Sequence, residues 1–136
     1  MLQKSESDKH RNIKLSLADG FKSKGWSIRH IDGENDQTDL VKNDNEIGDG
    51  ENKRPDVDAK DDSQKRIIRG EAKINDGDFD SEHSITQFKL FSNRNLDGVK
   101  SWLIIGVPEG TKHLMEAVLD RELDNESRGN VFVWEY

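Results

Sequence analysis

The sequence contains no cysteine, few apolar residues and no long apolar run. Without cysteine the chain forms neither disulfides nor thiolate zinc sites, and it has no cysteine nucleophile. No stretch approaches the roughly 18 consecutive apolar residues of a membrane-spanning helix, and residues 1–24 hold no short apolar block of the signal-peptide kind. From these absences we expect a cytoplasmic protein with no membrane partner.

Charged residues make up 36% of the 136 residues and apolar residues 31%, whereas charged residues are about 25% of an average globular domain. So polar a composition can accompany disorder. Here the apolar residues are grouped in periodic runs, and three tryptophans are present. The length suits one domain with one core, so we predict a single folded domain over residues 1–136 with long polar loops.

The net charge of −7 is unevenly distributed along the chain. Residues 1–30 carry seven Lys/Arg and three Asp/Glu, residues 31–62 carry four and twelve, and residues 63–136 carry ten and thirteen. A basic first segment beside an acidic middle segment suits a phosphate-binding surface next to a metal site. That interpretation predicts phosphate contacts by Lys9, Arg11 and Lys14. A solvated helix face followed by a soluble acidic loop explains the same pattern.

Hydrophobic periodicity and turn residues predict an α/β domain with the element order α-β-β-β-α-β-α-β. The predicted elements span roughly residues 6–24, 26–31, 53–59, 65–74, 82–95, 102–107, 112–123 and 131–134. Ser81 is expected to cap the second helix, and the apolar run 102–107 is typical of a strand buried on both faces. Residues 33–52, rich in Asp, Asn, Glu and Gly, are predicted to form a flexible acidic loop.

The first predicted helix carries apolar and polar residues on one stripe. Ile13, Leu17 and Phe21 share this stripe at 100° per residue, and His10 and Glu6 lie on it one and two turns earlier. The stripe therefore continues from core residues to two polar side chains that can contribute to a functional site. The other histidines, at positions 30, 83 and 113, show no metal-ligand spacing with an acidic partner and are expected at the surface or its boundary.

The predicted hairpin formed by the second and third strands concentrates the charged residues that can do chemistry. Side chains alternate along a strand, so Glu71 and Lys73 share one face, and Gly70 and Ala72 lie on the other, apolar face. With a turn centred near 62–63, Asp56 lies on the charged face, opposite Arg69 and diagonal to Glu71. A slip of one residue in this register would reverse the arrangement.

Two carboxylates at this spacing suit a hard divalent cation such as Mg²⁺, which prefers oxygen ligands and retains several waters. A lysine two residues after the second carboxylate can contact the metal-bound water or a substrate phosphate. These groups together supply the means to hydrolyse a phosphodiester. An exposed strand face with alternating charges is the alternative explanation.

The motif Pro55-Asp56 followed by Glu71-Ala72-Lys73, with 14 residues between the two acids, resembles that of the PD-(D/E)XK nuclease superfamily. The resemblance implies a restriction-endonuclease-like mixed sheet flanked by helices. It also implies that Asp56 and Glu71 bind Mg²⁺, with Mn²⁺ expected to substitute, that Ala72 contributes its carbonyl, and that Lys73 contacts the water or phosphate.

Two further positions are similar to those of the superfamily. Many members carry a Glu, and some a His, on the first helix near the metal, which makes Glu6 and His10 candidate ligands. Some branches carry Gln-x-x-x-Tyr on the helix after the lysine strand. Gln87 matches the glutamine and is a candidate catalytic residue, whereas Phe91 stands at the tyrosine position.

The resemblance implies a metal-dependent nuclease, endo- or exonucleolytic, that acts on nucleic acid, with DNA the expected substrate. A single small domain has few means to read sequence, so structure-selective or non-specific cleavage is expected. Small junction resolvases of the superfamily act as two-fold dimers, so a homodimer is compatible with the resemblance. The alternatives are a nucleic-acid-binding or regulatory module on the same fold that does not cleave, and an acidic protein that mimics nucleic acid.

Overall fold

The computed structural model describes residues 6–34, 36–92 and 100–136. Along the chain the elements are α1 (Asp8–Ser23), β1 (Ser27–Ile31), β2 (Val57–Asp61), β3 (Arg66–Ala72), a 3₁₀ turn (Asp76–Asp78), α2 (Glu82–Ser92), β4 (Lys100–Val107), α3 (Lys112–Glu122), α4 (Asn125–Arg128) and β5 (Val131–Glu135). The predicted α/β class is confirmed, and the 3₁₀ turn and α4 are additions to the predicted elements. Within the described ranges, no helix is both long and apolar enough to cross a membrane.

The five strands form one mixed sheet in the order β1-β2-β3-β4-β5. β1, β2 and β3 are antiparallel neighbours, whereas β3, β4 and β5 run parallel to one another. β4 lies between two strands and is buried on both faces, as its apolar run predicts. Leu103 and Ile105 face one core cluster, and Ile104 faces the other.

Helix α1 packs on one face of the sheet through the predicted apolar stripe, since Ile13, Leu17 and Phe21 are all buried. The strands beneath it carry glycine where the helix comes closest. A Cβ at Gly106 would lie 2.7 Å from Ile13 Cγ2, and one at Gly70 would lie 2.9 Å from Phe21 Cζ. The absence of these side chains allows the helix to lie directly on the strand backbones.

Helices α2 and α3 cover the opposite face and enclose the second core cluster. Their buried residues pack with alternate side chains of β4 and β5; the members are Phe88, Leu90, Phe91, Leu103, Ile105, Val107, Met115, Val118, Leu119, Val131 and Val133. The sheet is therefore covered by helices on both faces, which is the arrangement expected for its parallel half.

Several predicted boundaries need correction. Helix α1 begins at Asp8 rather than at residue 6, because the Ser7 side chain accepts a hydrogen bond from the His10 amide and caps the helix. β2 begins at Val57 rather than at residue 53. Ser81 caps α2 as predicted, through a hydrogen bond from the Ser84 amide; residues 93–95 of that predicted helix lie outside the described ranges.

The acidic segment after β1 has the predicted loop character, although its side chains anchor it to the sheet. Val41 forms an isolated bridge with Lys53, and the Asn43 side chain hydrogen-bonds to the backbone of residues 47 and 51. Val41 and Ile47 pack against the second core cluster. The flexibility of residues 33–52 stays a prediction, but the described part of this segment has its own polar and apolar anchors.

We predict that Gly106→Ala lowers the free energy of unfolding by about 1–3 kcal/mol, because the added methyl overpacks the contact between α1 and β4. Chemical denaturation measures the change. The matched control is Gly129→Ala, where φ is −65° and the nearest atoms lie 3.5 Å from the added Cβ; its effect should stay within about 0.5 kcal/mol. Equal stabilities for the two variants would contradict the close packing of α1.

Candidate active site

The motif residues lie together where β2 begins and β3 ends. The hairpin pairs Val57 with Gly70 and Asp61 with Arg66, so continuing the register by one step places Asp56 opposite Glu71. The predicted partner of Asp56, Arg69, is wrong because the chain reverses direction later than expected. The partner changes by two residues, and a shift of two keeps every side chain on its predicted face.

Each carboxylate of the pair is bound by the backbone of the other strand. The Asp56 amide donates to Glu71 Oε1 at 3.2 Å, and the Ala72 amide donates to Asp56 Oδ2 at 2.8 Å. Glu71 is buried, with 3% of its surface exposed, whereas the Asp56 side chain retains 15%. No described residue donates a hydrogen bond to Asp56 Oδ1, so that oxygen has free acceptor capacity.

Lys73 and Gln87 complete this side of the site, as the motif predicts. The Lys73 ammonium donates to Gln87 Oε1 at 2.5 Å and lies 3.6 Å from Glu71 Oε2. Gln87, from α2, donates through Nε2 to the same Glu71 oxygen at 3.1 Å. The amide therefore bridges the lysine and the carboxylate and holds both in position.

The first turn of α1 contributes His10, which lies between two acids. Its Nε2 is 3.2 Å from Asp56 Oδ2, and its Nδ1 contacts Glu6 Oε2. The stripe predicted from periodicity thus brings both Glu6 and His10 to the site. The second oxygen of Glu6, Oε1, accepts a hydrogen bond from Lys14 at 2.8 Å.

Burial and charge shift the protonation equilibria of two of these groups. Desolvation, followed by the nearby Asp56 charge, raises the pKa of Glu71 to about 8. Hydrogen bonding to Asp56 raises the pKa of His10 to about 9, with a smaller contribution from Glu6. A raised pKa favours the imidazolium form of His10 at neutral pH, in which the ring is a counter-charge to Asp56. A metal-ligand role for His10, and for Glu6, stays a prediction.

The predicted metal ligands do not form a cluster of three. Among the described residues, only two groups bring three His or carboxylate ligand atoms within 4.8 Å of one another: His30–Asp39–Asp58 and Asp49–Glu51–His83. Neither was predicted from the sequence, because each group combines separate segments and has no linear spacing to recognise. At the predicted site the available oxygen donors are the adjacent carboxylates of Asp56 and Glu71. A ligand role for the Ala72 carbonyl stays a prediction, since the contact shown by that residue is made by its amide.

The three cationic residues predicted to bind phosphate have different surroundings. Lys9 is exposed, and the Arg11 side chain is 52% exposed but forms an ion pair with Glu34. Lys14 is 1% exposed and donates to Glu6 and to the Asp32 carbonyl. The prediction for Lys14 is therefore wrong: its ammonium is enclosed by acceptors of this chain and is inaccessible to a phosphate.

Comparison with known proteins found no matching family model, curated protein or solved structure. The structure itself shows an α/β fold with a five-stranded mixed sheet flanked by helices.

We predict that the metal-free protein loses stability as pH rises from 4.5 to 9. Glu71 and His10 have pKa values near 8 and 9 in the folded chain against ordinary values of 4.5 and 6.5. The folded state therefore binds more protons than the unfolded state in this range. The stabilisation that these protons give is lost as pH rises past the folded pKa values. Glu71→Gln should reduce the loss of stability between pH 4.5 and 8.

Denaturant titrations across this pH range, made with a chelator present, measure the slope. Glu109→Gln is the matched control, because Glu109 is an exposed carboxylate far from the hairpin in sequence and its removal should leave the pH profile unchanged. A parent profile that is flat, or equally steep in Glu71→Gln, would show that Glu71 does not retain a proton in the folded protein.

Proposed function

We propose that this protein is a metal-dependent nuclease that hydrolyses phosphodiester bonds, with DNA as its substrate and a restriction-endonuclease-like fold as its framework. The observation that carries the proposal is the adjacency of Asp56 and Glu71 with an ammonium 3.6 Å from the second carboxylate. Two carboxylates and a lysine within one small volume match the groups that metal-assisted phosphodiester hydrolysis requires.

The donor set is compatible with Mg²⁺, and with Mn²⁺ in its place. The donors are hard oxygens, which these cations prefer, and Asp56 Oδ1 has no hydrogen-bond donor among the described residues. The raised pKa of Glu71 reflects burial and repulsion from Asp56, both of which a bound cation offsets. Asp56 and Glu71 would hold the cation with the carbonyl of Ala72; when bound, it supplies Lewis-acid activation and a more acidic water.

The remaining residues orient the substrate and balance charge. Lys73 supplies a compact ammonium that can hold the attacking water or offset charge on the phosphate. Gln87 fixes the position of that ammonium and of Glu71 through its two hydrogen bonds. His10 Nε2 lies 3.2 Å from Asp56 Oδ2, so a protonated His10 balances the charge of that carboxylate.

A module that binds nucleic acid without cleaving it is the second candidate. One observation favours it: both oxygens of Glu71 accept hydrogen bonds within the chain, so the network is complete as a structural element. The acidic-mimic hypothesis has less support, because several carboxylates of the acidic segment pair with the chain's own cations. These pairs are Glu34–Arg11, Asp36–His30, Asp39–Arg29 and Asp49–Lys53.

We predict that Lys73→Ala retains nucleic-acid binding but lowers single-turnover cleavage by about 10²–10³, the typical cost of one preorganised donor. Cleavage is measured with Mg²⁺, Mn²⁺ or EDTA on single-stranded, duplex, flap and four-way-junction DNA. Binding is measured by anisotropy with Ca²⁺. Lys60→Ala is the matched control, since Lys60 is a 58% exposed lysine of the neighbouring strand.

The panel separates the two functions. A nuclease requires metal-supported cleavage in the parent and in Lys60→Ala, with loss in Lys73→Ala. Binding without cleavage of any substrate by the parent favours the module. Cleavage by Lys73→Ala at the parent rate would exclude catalysis at this site.

We predict that Lys9→Glu weakens DNA binding and reduces its dependence on salt, because an exposed lysine on α1 can neutralise a phosphate. Lys14→Met should act differently: it leaves Glu6 and the Asp32 carbonyl without their buried donor, so it should lower stability by about 1–3 kcal/mol. Anisotropy at several salt concentrations and chemical denaturation measure the two effects. Unchanged binding by Lys9→Glu would show that this part of α1 does not contact nucleic acid.

A homodimeric state stays a prediction.

A further inference from the structure

A second group of ligand atoms lies on β1 and β2, away from the carboxylate pair. His30 and Asp58 are direct partners in the β1–β2 ladder, so their side chains share one face of the sheet. A bulge between Ile28 and His30 shifts the register at this point. Asp39, from the acidic segment, completes a set of three ligand atoms that lie within 4.8 Å of one another.

The buried member of this group has an unused oxygen. Asp58 is 2% exposed, and its Oδ2 accepts a hydrogen bond from the Asp39 amide at 3.0 Å. Its Oδ1 is buried and has no hydrogen-bond partner. Arg69, the neighbour of Asp58 on β3, makes its hydrogen bond to the Phe91 carbonyl instead. An unpaired buried carboxylate oxygen is costly unless the group is protonated or a cation binds it.

The histidine is oriented for metal binding by a further carboxylate. Its Nδ1 hydrogen-bonds to Asp36 Oδ2 at 2.7 Å, and its Nε2 lies 3.9 Å from Asp39 Oδ1. A carboxylate on one ring nitrogen leaves the other free to act as a ligand, which is the usual outer-shell arrangement of metal-binding histidines. Two ligands bound to one Zn²⁺ at about 2.1 Å in tetrahedral geometry lie about 3.4 Å apart. The His30 and Asp39 ligand atoms, at 3.9 Å, are therefore already near the distance that a shared ion requires.

We propose that His30, Asp39 and Asp58 bind one divalent transition-metal cation, and that this cation fastens the acidic segment to the sheet. One imidazole with two carboxylates favours Zn²⁺, because imidazole suits Zn²⁺ better than it suits Mg²⁺ or Ca²⁺. The Asp39 side chain is 62% exposed and that of His30 24% exposed, so an ion can enter from solvent.

This site is independent of the proposed nuclease centre. Asp58 follows Asp56 by two residues, about 7 Å along the strand, whereas the ions of a two-metal centre are about 3.5–4 Å apart. The second group of three ligands offers a contrast. There the Lys53 ammonium lies 2.6 Å from both Asp49 Oδ2 and His83 Nδ1, so a cation of the chain already contacts two of the three ligand atoms. In the proposed site Arg29 pairs with Asp39 Oδ2 at 2.8 Å, whereas Asp39 Oδ1 is the oxygen that faces His30 Nε2.

The test is calorimetric titration of Zn²⁺ into the full chain after chelator treatment, with Mn²⁺ and Mg²⁺ as comparison ions. We expect one equivalent of Zn²⁺ to bind at this site, more tightly than either comparison ion. His30→Gln and Asp39→Asn should weaken this binding at least tenfold. Both side chains are partly exposed, so the variants should fold; circular dichroism confirms this before titration. Asp58→Asn is the third variant.

Two controls locate the bound ion. His83→Gln removes the histidine of the lysine-filled cluster, and Glu71→Gln disables the candidate nuclease centre; both should retain the Zn²⁺ equivalent. The proposal is overturned if the parent binds no Zn²⁺, if His30→Gln and Asp39→Asn bind it as the parent does, or if Glu71→Gln alone abolishes binding. Because cleavage is not measured, the result is independent of whether the protein is a nuclease.

Discussion

The close contact between α1 and the sheet determines the arrangement of the candidate site. The helix lies on Gly70 and Gly106, where any side chain would meet the buried residues of its apolar stripe. Because the stripe fixes the rotation of the helix, its first turn has to lie over the start of β2. His10 is thereby held 3.2 Å from Asp56. The packing of one face of the sheet and the chemistry at its end therefore depend on the same contact.

The carboxylate pair lies among groups that offset its charge. Two adjacent carboxylates in a poorly solvated place repel each other, and such groups resist ionising together. Here burial and the Asp56 charge raise the pKa of Glu71 to about 8, and contact with Asp56 raises the pKa of His10 to about 9. Lys73 adds a second positive charge beside Glu71. In the proposed nuclease a divalent cation would offset the repulsion between Asp56 and Glu71 more strongly, because it carries two positive charges.

The acidic segment has a structural role besides its charge. Its carboxylates pair with Arg11, Arg29, His30 and Lys53 of the same chain, and its apolar side chains, Val41 and Ile47, pack against the second core cluster. Much of the negative charge of residues 31–62 is therefore matched locally. The region most negative in sequence therefore presents less unbalanced charge than its composition indicates.

The sequence by itself determined those features that depend on local periodicity. A repeat of about 3.6 residues placed Ile13, Leu17 and Phe21 inside and carried Glu6 and His10 towards the site. Alternation along β3 separated Glu71 and Lys73 from the small residues beneath α1. The motif predicted that Asp56, Glu71 and Lys73 lie close together, and the structure brings them together. The glutamine of the next helix, Gln87, contacts both Glu71 and Lys73.

Tertiary structure alone decided the features that depend on distant segments. The turn set the hairpin register, because no residue of the strands specifies which partner each must have. The burial of Lys14 depends on acceptors at positions 6 and 32, which helix periodicity cannot anticipate. The grouping of His30, Asp39 and Asp58 required a bulge, a strand pairing and a folded loop together. Their ligand atoms converge in space because the chain passes the same point three times, at residues 30, 39 and 58, and spacing along the sequence does not predict this.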